Sequence, residues 1–184
     1  MATQALLQAG RDAPARSRAE STKMGLLAPD ALMPALLAIT PYRPEFRDRL
    51  VDMWRDSFAL GVGAPVPNSV EDHRRFFDEN TLTETSVQLA LRDGELVGFG
   101  AFTPESVTQL YVHVAHLGQG IGTRLIELAK ANSGGRLWLH TFVTNTNAQR
   151  FYEHHGFAIV ERGFEPVMQL GDLRYEWRRT SRLL

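Results

Sequence analysis

The chain has 184 residues and a mass of 20.6 kDa, is 43% hydrophobic and 22% charged, and sets 20 Lys plus Arg against 21 Asp plus Glu, which is the composition of one globular domain. A net charge of -1 and a pI near 6.6 leave no positive field for a nucleic-acid backbone or an anionic membrane, and no apolar run reaches the roughly 18 to 20 residues that span a bilayer. With no cysteine, disulfide frameworks, thiolate zinc sites and group transfer through an enzyme thiol are excluded, and a reducing cytoplasm fits.

Residues 1–35 read as a poorly ordered amino-terminal extension, in which Ala, Arg, Ser and Pro scatter without a sustained apolar period. Ala5 to Ala9 is too short and too polar for the apolar core of a secretory signal. Residues 36–184 read as one folded domain. A first strand is expected at Leu36 to Thr40, and Pro44 opens a helix in which Phe46, Leu50, Trp54 and Phe58 recur every fourth residue. Ser69, with Asp72 three residues on, starts a second helix that runs to Asn80. Val87, Leu89 and Leu91 alternate with polar or small residues, Asp93-Gly94 supplies a type I′ turn, and Glu95 to Phe102 completes a hairpin. Another strand is expected at Val107 to Val114, then a helix after Gly118 that buries Ile121 and Leu125, with Leu128 or Ala129. A strand from Arg136 to Phe142, a helix from Thr146 to His155 closed by Gly156, and strands at Phe157 to Arg162 and Leu173 to Arg179 follow. This order implies an α/β domain with a mixed sheet.

The chemistry concentrates after the Val107 to Val114 strand. Gly118, Gly120 and Gly122 make a turn whose amides can approach a ligand closely, and the helix behind them adds unsatisfied N–H groups and a positive dipole end. A pyrophosphate suits that arrangement. The dinucleotide pattern fails at Thr123, where its last glycine should stand, and a phosphate-binding P-loop would need a lysine that is not there.

The run from Gln109 through Gly122, together with Asn145, Ala148, Phe151, Tyr152, Gly156 and Phe157, resembles the GNAT superfamily of N-acetyltransferases, which use acetyl-CoA. The resemblance covers Leu36 to Arg179, and its specific part runs from Gln109 to Phe157. It implies a GNAT-like fold, a mixed, mostly antiparallel sheet of about six or seven strands flanked by about four helices, with a splay between the central strands. It also implies that Leu117, Gly118, Gln119, Gly120, Ile121, Gly122 and Thr123 hold the CoA pyrophosphate. Leu117 departs from the family pattern, which has Gln or Arg there, and Val114 stands where Pro is frequent. Backbone amides carry the phosphate contact, so neither departure removes it. Leu110 and Val112 are implied to bond the pantetheine arm like an added strand, and Asn145 to reach the same arm. Asn145 reads equally well as a helix cap. Tyr152 matches the family's tyrosine that protonates the departing CoA thiolate, and it also reads as a core aromatic.

An amine of pKa about 10.4 is less than about 0.1% neutral at pH 7, so a base is needed. The strand that carries the pantetheine contacts offers Thr108, Gln109 and His113 but no carboxylate. Glu105, just before it, is taken as the base, with His140 or water as alternatives, although a lone strand histidine more often packs. No carboxylate or thiol completes a metal set around His113 and His116 or His154 and His155, so no metal is expected. The acceptor amine is expected between the first two helices and the last hairpin. Asp48, Asp52, Asp56, Glu71, Asp72, Asp78 and Glu79 there could draw a cation, but the arginines among them favour a solvated charged face. The reading is therefore a direct, ternary-complex N-acetyltransferase, with a non-catalytic acyl-CoA sensor as the alternative. The last hairpin or the extension could pair with a second copy to make a homodimer.

Overall fold

A computed structural model describes residues 36–180 and the dipeptide Ala5–Leu6. Apart from that dipeptide, the expected extension over residues 1–35 lies outside the described residues. Strand β1 (Leu37–Pro41) is followed by a 3-10 turn, Pro44–Phe46, and by α1 (Arg47–Val62). Phe46, Leu50, Trp54 and Phe58 are all buried, so the four-residue spacing lays one apolar stripe of α1 on the sheet, each side chain contributing about 1.5–3 kcal/mol. Ser57 Oγ donates to the Val112 carbonyl at 2.9 Å and ties α1 to the central sheet. The Ser69 hydroxyl accepts the Asp72 N–H and caps α2 (Val70–Phe76). A π-turn, Phe77–Thr81, and a last turn, Leu82–Glu84, carry this helix beyond the expected end at Asn80.

Strands β2 (Ser86–Arg92) and β3 (Glu95–Phe102) pair across Asp93-Gly94, whose φ values of 50° and 84° are the two positive angles a type I′ turn requires. Strand β4 (Val107–Val112) joins β3, so the first sheet runs β4-β3-β2-β1 with antiparallel neighbours throughout. Its register jumps from Ala101–Gln109 to Phe102–Val107, which leaves Thr108 as a bulge with Oγ1 donating to the Ala101 carbonyl at 2.9 Å. The strand ends two residues before the expected Val114, because His113 Nδ1 accepts the Ala115 N–H and turns the chain into a 3-10 segment, Val114–His116.

Helix α3 (Ile121–Ala131), β5 (Arg136–Phe142), α4 (Thr146–His154), β6 (Ala158–Glu165) and β7 (Leu170–Arg178) complete the described domain. The second sheet is antiparallel in the order β5-β7-β6. Its last hairpin is longer than expected. The ladder continues to Glu165–Leu170, the Glu165 carboxylate accepts the N–H groups of Val167 and Met168, and Gln169 takes a positive φ of 55°.

The two sheets meet at one end. Ser106 bridges Trp138 in parallel, the Trp138 N–H donates to the Glu105 carbonyl at 2.9 Å, and beyond that point β4 and β5 belong to separate ladders, which opens a splay between them. The dipeptide Ala5–Leu6 lies in this splay, parallel to β4 beside Leu110 and Tyr111 and in contact with β5, α1 and α4. Successive β4 residues face opposite ways. Leu110 and Val112 join the apolar cluster of α3 and α4, whereas Tyr111 joins that of α1 with Phe99 and Phe142. This is the expected mostly antiparallel architecture of seven strands and four helices with a central splay. Among the described residues no helix is long and apolar enough to cross a membrane.

Candidate active site

The glycine turn sits where the end of the splay meets α3. Gly118 and Gly120 take φ values of 72° and 76°, conformations that cost an L side chain strain, and no side chain caps α3, so its first N–H groups face outward without partners inside the helix. A cavity of about 540 Å3 opens over them, lined by Gly118, Gly120, Gly122, Thr123, Arg150 and His154. Gln119 lends only its backbone to this cradle, since its side chain accepts from Arg92 Nη1 and donates to the Ala115 carbonyl. Leu117 packs on the apolar core and Ile121 is buried. Leu117, partly buried against that core, is the apolar residue that stands where the family pattern has Gln or Arg.

The Thr123 side chain is engaged as well. His155 Nδ1 donates to the Phe151 carbonyl at 2.7 Å, which leaves Nε2 to accept from the Thr123 hydroxyl at 3.2 Å. Burial, with a smaller push from Lys130, holds the His155 pKa below the usual value, in keeping with this neutral tautomer. Arg150, exposed on the first turns of α4, is the arginine that lines this cavity, and sequence reasoning missed it. Its signal was positional, an arginine one turn beyond Asn145 on the helix that faces α3.

Asn145 is buried at the start of α4, and its Oδ1 accepts the Ala148 N–H at 3.1 Å, so the capping role is met. Leu110 and Val112 are buried in β4, with the backbone edge of Leu110 turned to the splay. Tyr152 is fully buried on α4, its ring 5.7 Å from Phe157 and 6.0 Å from Tyr175. Its hydroxyl is buried and has no hydrogen-bond partner among the described residues. Burial pushes its pKa well above the ordinary 10, so the phenol keeps its proton at neutral pH.

Glu105 is placed differently from these. It is exposed in the turn at the closed end of the splay, where its field reaches Arg136, and it lines neither the cavity at the cradle nor the cleft beside Trp54. His140 lies on β5, two residues before Phe142, hence on the face that packs toward α1 through Phe142 and Phe58 at 6.2 Å. Its Nδ1 stands 3.0 Å from Oδ2 of the buried Asp172. A carboxylate only accepts, so Nδ1 carries a hydrogen, and in the neutral imidazole Nε2 is then the acceptor. Gly163 faces Asp172 and leaves room for this arrangement, since a Cβ there would collide with Oδ1.

On the α1 side, a cleft of about 210 Å3 lies between α1, α2 and the β6–β7 turn. Trp54, Phe58, Phe76 and Tyr111 form its wall, and Gln109 and Met168 complete it. Sequence reasoning placed Trp54 and Phe58 on the apolar stripe of the first helix and gave Phe76 and Tyr111 no role in a site. The acidic residues expected nearby form a solvated face. Asp78 binds Arg47, Asp48 binds Arg47 and Arg74, Glu71 binds Arg74, Asp72 binds Arg75, and Asp52, Asp56 and Glu79 are exposed.

The family model described as Acetyltransferase (GNAT) family matches residues 47–157. The chain belongs to this acetyltransferase family. Several solved structures share the GNAT fold. Apo YjaB from Escherichia coli has a TM-score of 0.66 at 20% identity and covers 79% of this chain and 99% of its own. PaiA N-acetyltransferase from Thermoplasma acidophilum, in complex with coenzyme A, has a TM-score of 0.63 at 17% identity and covers 78% and 99%. YncA from Salmonella typhimurium, with its cofactor acetyl-CoA, has a TM-score of 0.59 at 15% identity and covers 80% and 96%. A comparison with curated proteins gives no match.

Proposed function

We propose that this GNAT protein is a cytoplasmic N-acetyltransferase that moves an acetyl group directly from acetyl-CoA to a primary amine, with both held at once. The observation that carries the reading is the fully buried Tyr152 hydroxyl, which has no partner among the described residues, on the helix that borders the splay. A phenol kept protonated there is suited to meet a developing anion, and a fold that buries an unpaired hydroxyl loses about 1–3 kcal/mol by doing so.

The residues fit acetyl-CoA. Backbone N–H groups from Gly118 to Thr123 would take the pyrophosphate, with Arg150 beside them. The Leu110–Val112 edge would pair with the pantetheine arm, the edge that Ala5 and Leu6 occupy here, and Asn145 lies at the α4 end of the same splay. When bound, acetyl-CoA supplies the activated thioester. His140 Nε2, oriented through Nδ1 by Asp172, is better placed than Glu105 to accept the amine proton, because it lies on the α1 face of the splay. As the new N–C bond formed and the C–S bond broke, Tyr152 would give its phenolic proton to the departing sulfur and take back the second proton shed by the acylated nitrogen. The products are an amide and the CoA thiol.

Calorimetric titration with acetyl-CoA, with ATP as control, tests the cradle without any assumption about the acceptor. Micromolar binding followed by thiol release on addition of amines is expected. No heat up to millimolar acetyl-CoA would refute the reading.

A further inference from the structure

The cleft beside Trp54 has a chemical character that points to one class of acceptor. Its wall is aromatic. Trp54 lies 5.8 Å from Tyr111, 6.1 Å from Phe76 and 5.0 Å from the imidazole of His73. A cavity of about 150 Å3 suffices for benzene, so about 210 Å3 takes a ring with a short alkyl arm.

Its two carboxylates already have partners within the protein. Asp72 accepts from the Ser69 hydroxyl at 2.7 Å and from Arg75 at 2.8 Å, and both Glu165 oxygens accept backbone N–H groups of the hairpin turn. Arg55 donates to His73 Nδ1 at 2.6 Å, and burial, then the Arg55 charge, holds the His73 pKa below its usual value, so the imidazole is neutral. The carboxylates that line the cleft are thus bound within the protein, and the nearest guanidinium adds positive charge. A second ammonium group would have to compete with these partners for a carboxylate.

One polar atom is unengaged. Gln109 is 7% exposed and its Oε1 is buried without a partner among the described residues. The Thr108 bulge sets Gln109 on the α1 face of β4, next to Leu110, whose backbone edge faces the splay. An N–H donor at Gln109 therefore stands beside that edge.

We infer that the acceptor is a monoamine with an apolar, ring-sized body, seated against Trp54 and Phe76 with its nitrogen donating to Gln109 Oε1. This deepens the proposed N-acetyltransferase function and rests on it.

The test uses the full chain with acetyl-CoA and reads released CoA with a thiol reagent, for which a cysteine-free protein gives no background. Phenylethylamine and tryptamine are compared with ethanolamine, lysine and spermidine. Burial of the ring predicts a kcat/KM for the aryl amines roughly 10- to 100-fold above that for ethanolamine. Val167, exposed on the rim of the cleft, allows a variant that spares the core. Val167→Asp should shrink the aryl preference and raise the rate with spermidine, and Gln109→Leu should raise KM for aryl amines while acetyl-CoA affinity holds. Preference for spermidine or lysine over aryl amines, or no aryl-amine binding by calorimetry to protein saturated with acetyl-CoA, would overturn the inference and leave acetyl transfer standing. Failure of acetyl-CoA itself to bind would take down both.

Discussion

Substitution of Tyr152 by Phe should move stability and rate in opposite directions. The hydroxyl is buried and unpaired among the described residues, so its removal relieves a desolvation penalty of about 1–3 kcal/mol. The oxygen-sized void left behind gives back a few tenths of a kcal/mol, at about 24 cal/mol per Å3. A net gain of about 1–2 kcal/mol raises Tm by roughly 2–8 °C for a chain of this length. If the phenol protonates the departing sulfur, the same variant loses about 100- to 10,000-fold in kcat, with little change in acetyl-CoA affinity. Thermal denaturation of the free protein, calorimetry with acetyl-CoA and a thiol-release assay read the three quantities separately. A Tm that falls by several degrees would show that the hydroxyl has a partner in the folded protein. A kcat within roughly threefold of wild type would remove Tyr152 from the reaction.

Gly120→Asp keeps a residue type that tolerates positive φ but points a carboxylate into the cradle, so acetyl-CoA should bind at least about tenfold more weakly by calorimetry; unchanged affinity would mean that the phosphates lie elsewhere. His140→Gln should lower kcat by roughly 100-fold with acetyl-CoA affinity unchanged, and Asp172→Asn should lower it by less, since the imidazole stays in place without its orienting partner; a kcat equal to wild type in both variants returns the base to water. Glu176 is held below the usual carboxylate range by hydrogen bonds from Arg136 and then Arg178, so it stabilises the fold above its unfolded value of 4.5, and the benefit is lost as pH falls through the lower folded value. Chemical denaturation of Glu176→Gln should therefore show its deficit at pH 7 and a shrinking deficit below about pH 4.5; a deficit that grows with acid would reverse the sign of this argument. A chain lacking residues 1–35 frees the Leu110–Tyr111 edge from Ala5 and Leu6 and should bind acetyl-CoA more tightly; equal affinity would show that the dipeptide does not compete.

The parts of the fold that were legible in the sequence are those governed by local rules. Asp93-Gly94 needs two positive φ angles and finds them, Phe46 to Phe58 need one buried stripe, and Gly118 and Gly120 need the left-handed region at a helix start. Boundaries failed where a side chain overrode the periodicity. His113 captures the Ala115 N–H and ends β4 at Val112, and Glu165 ties off a turn from its own carboxylate, so that β6 runs three residues past the expected Arg162.

The cradle and the acceptor half differ in legibility for a physical reason. A phosphate cradle is built from consecutive amides, so its residues are neighbours in sequence and its glycines mark it. The acceptor cleft draws Trp54 from α1, Phe76 from α2, Gln109 from β4 and Met168 from the last turn, and no short stretch of the chain holds two of them. The base shows the same asymmetry. Glu105 stood out in sequence because it is a carboxylate beside the strand proposed to carry the pantetheine contacts, yet the joint at Ser106–Trp138 holds it at the closed end of the splay. His140 looked like packing because its partner, Asp172, is 32 positions away, and only the β5–β7 register brings them to 3.0 Å. Pairing across the sheet thus makes the His140–Asp172 couple, and no window along the chain contains both members.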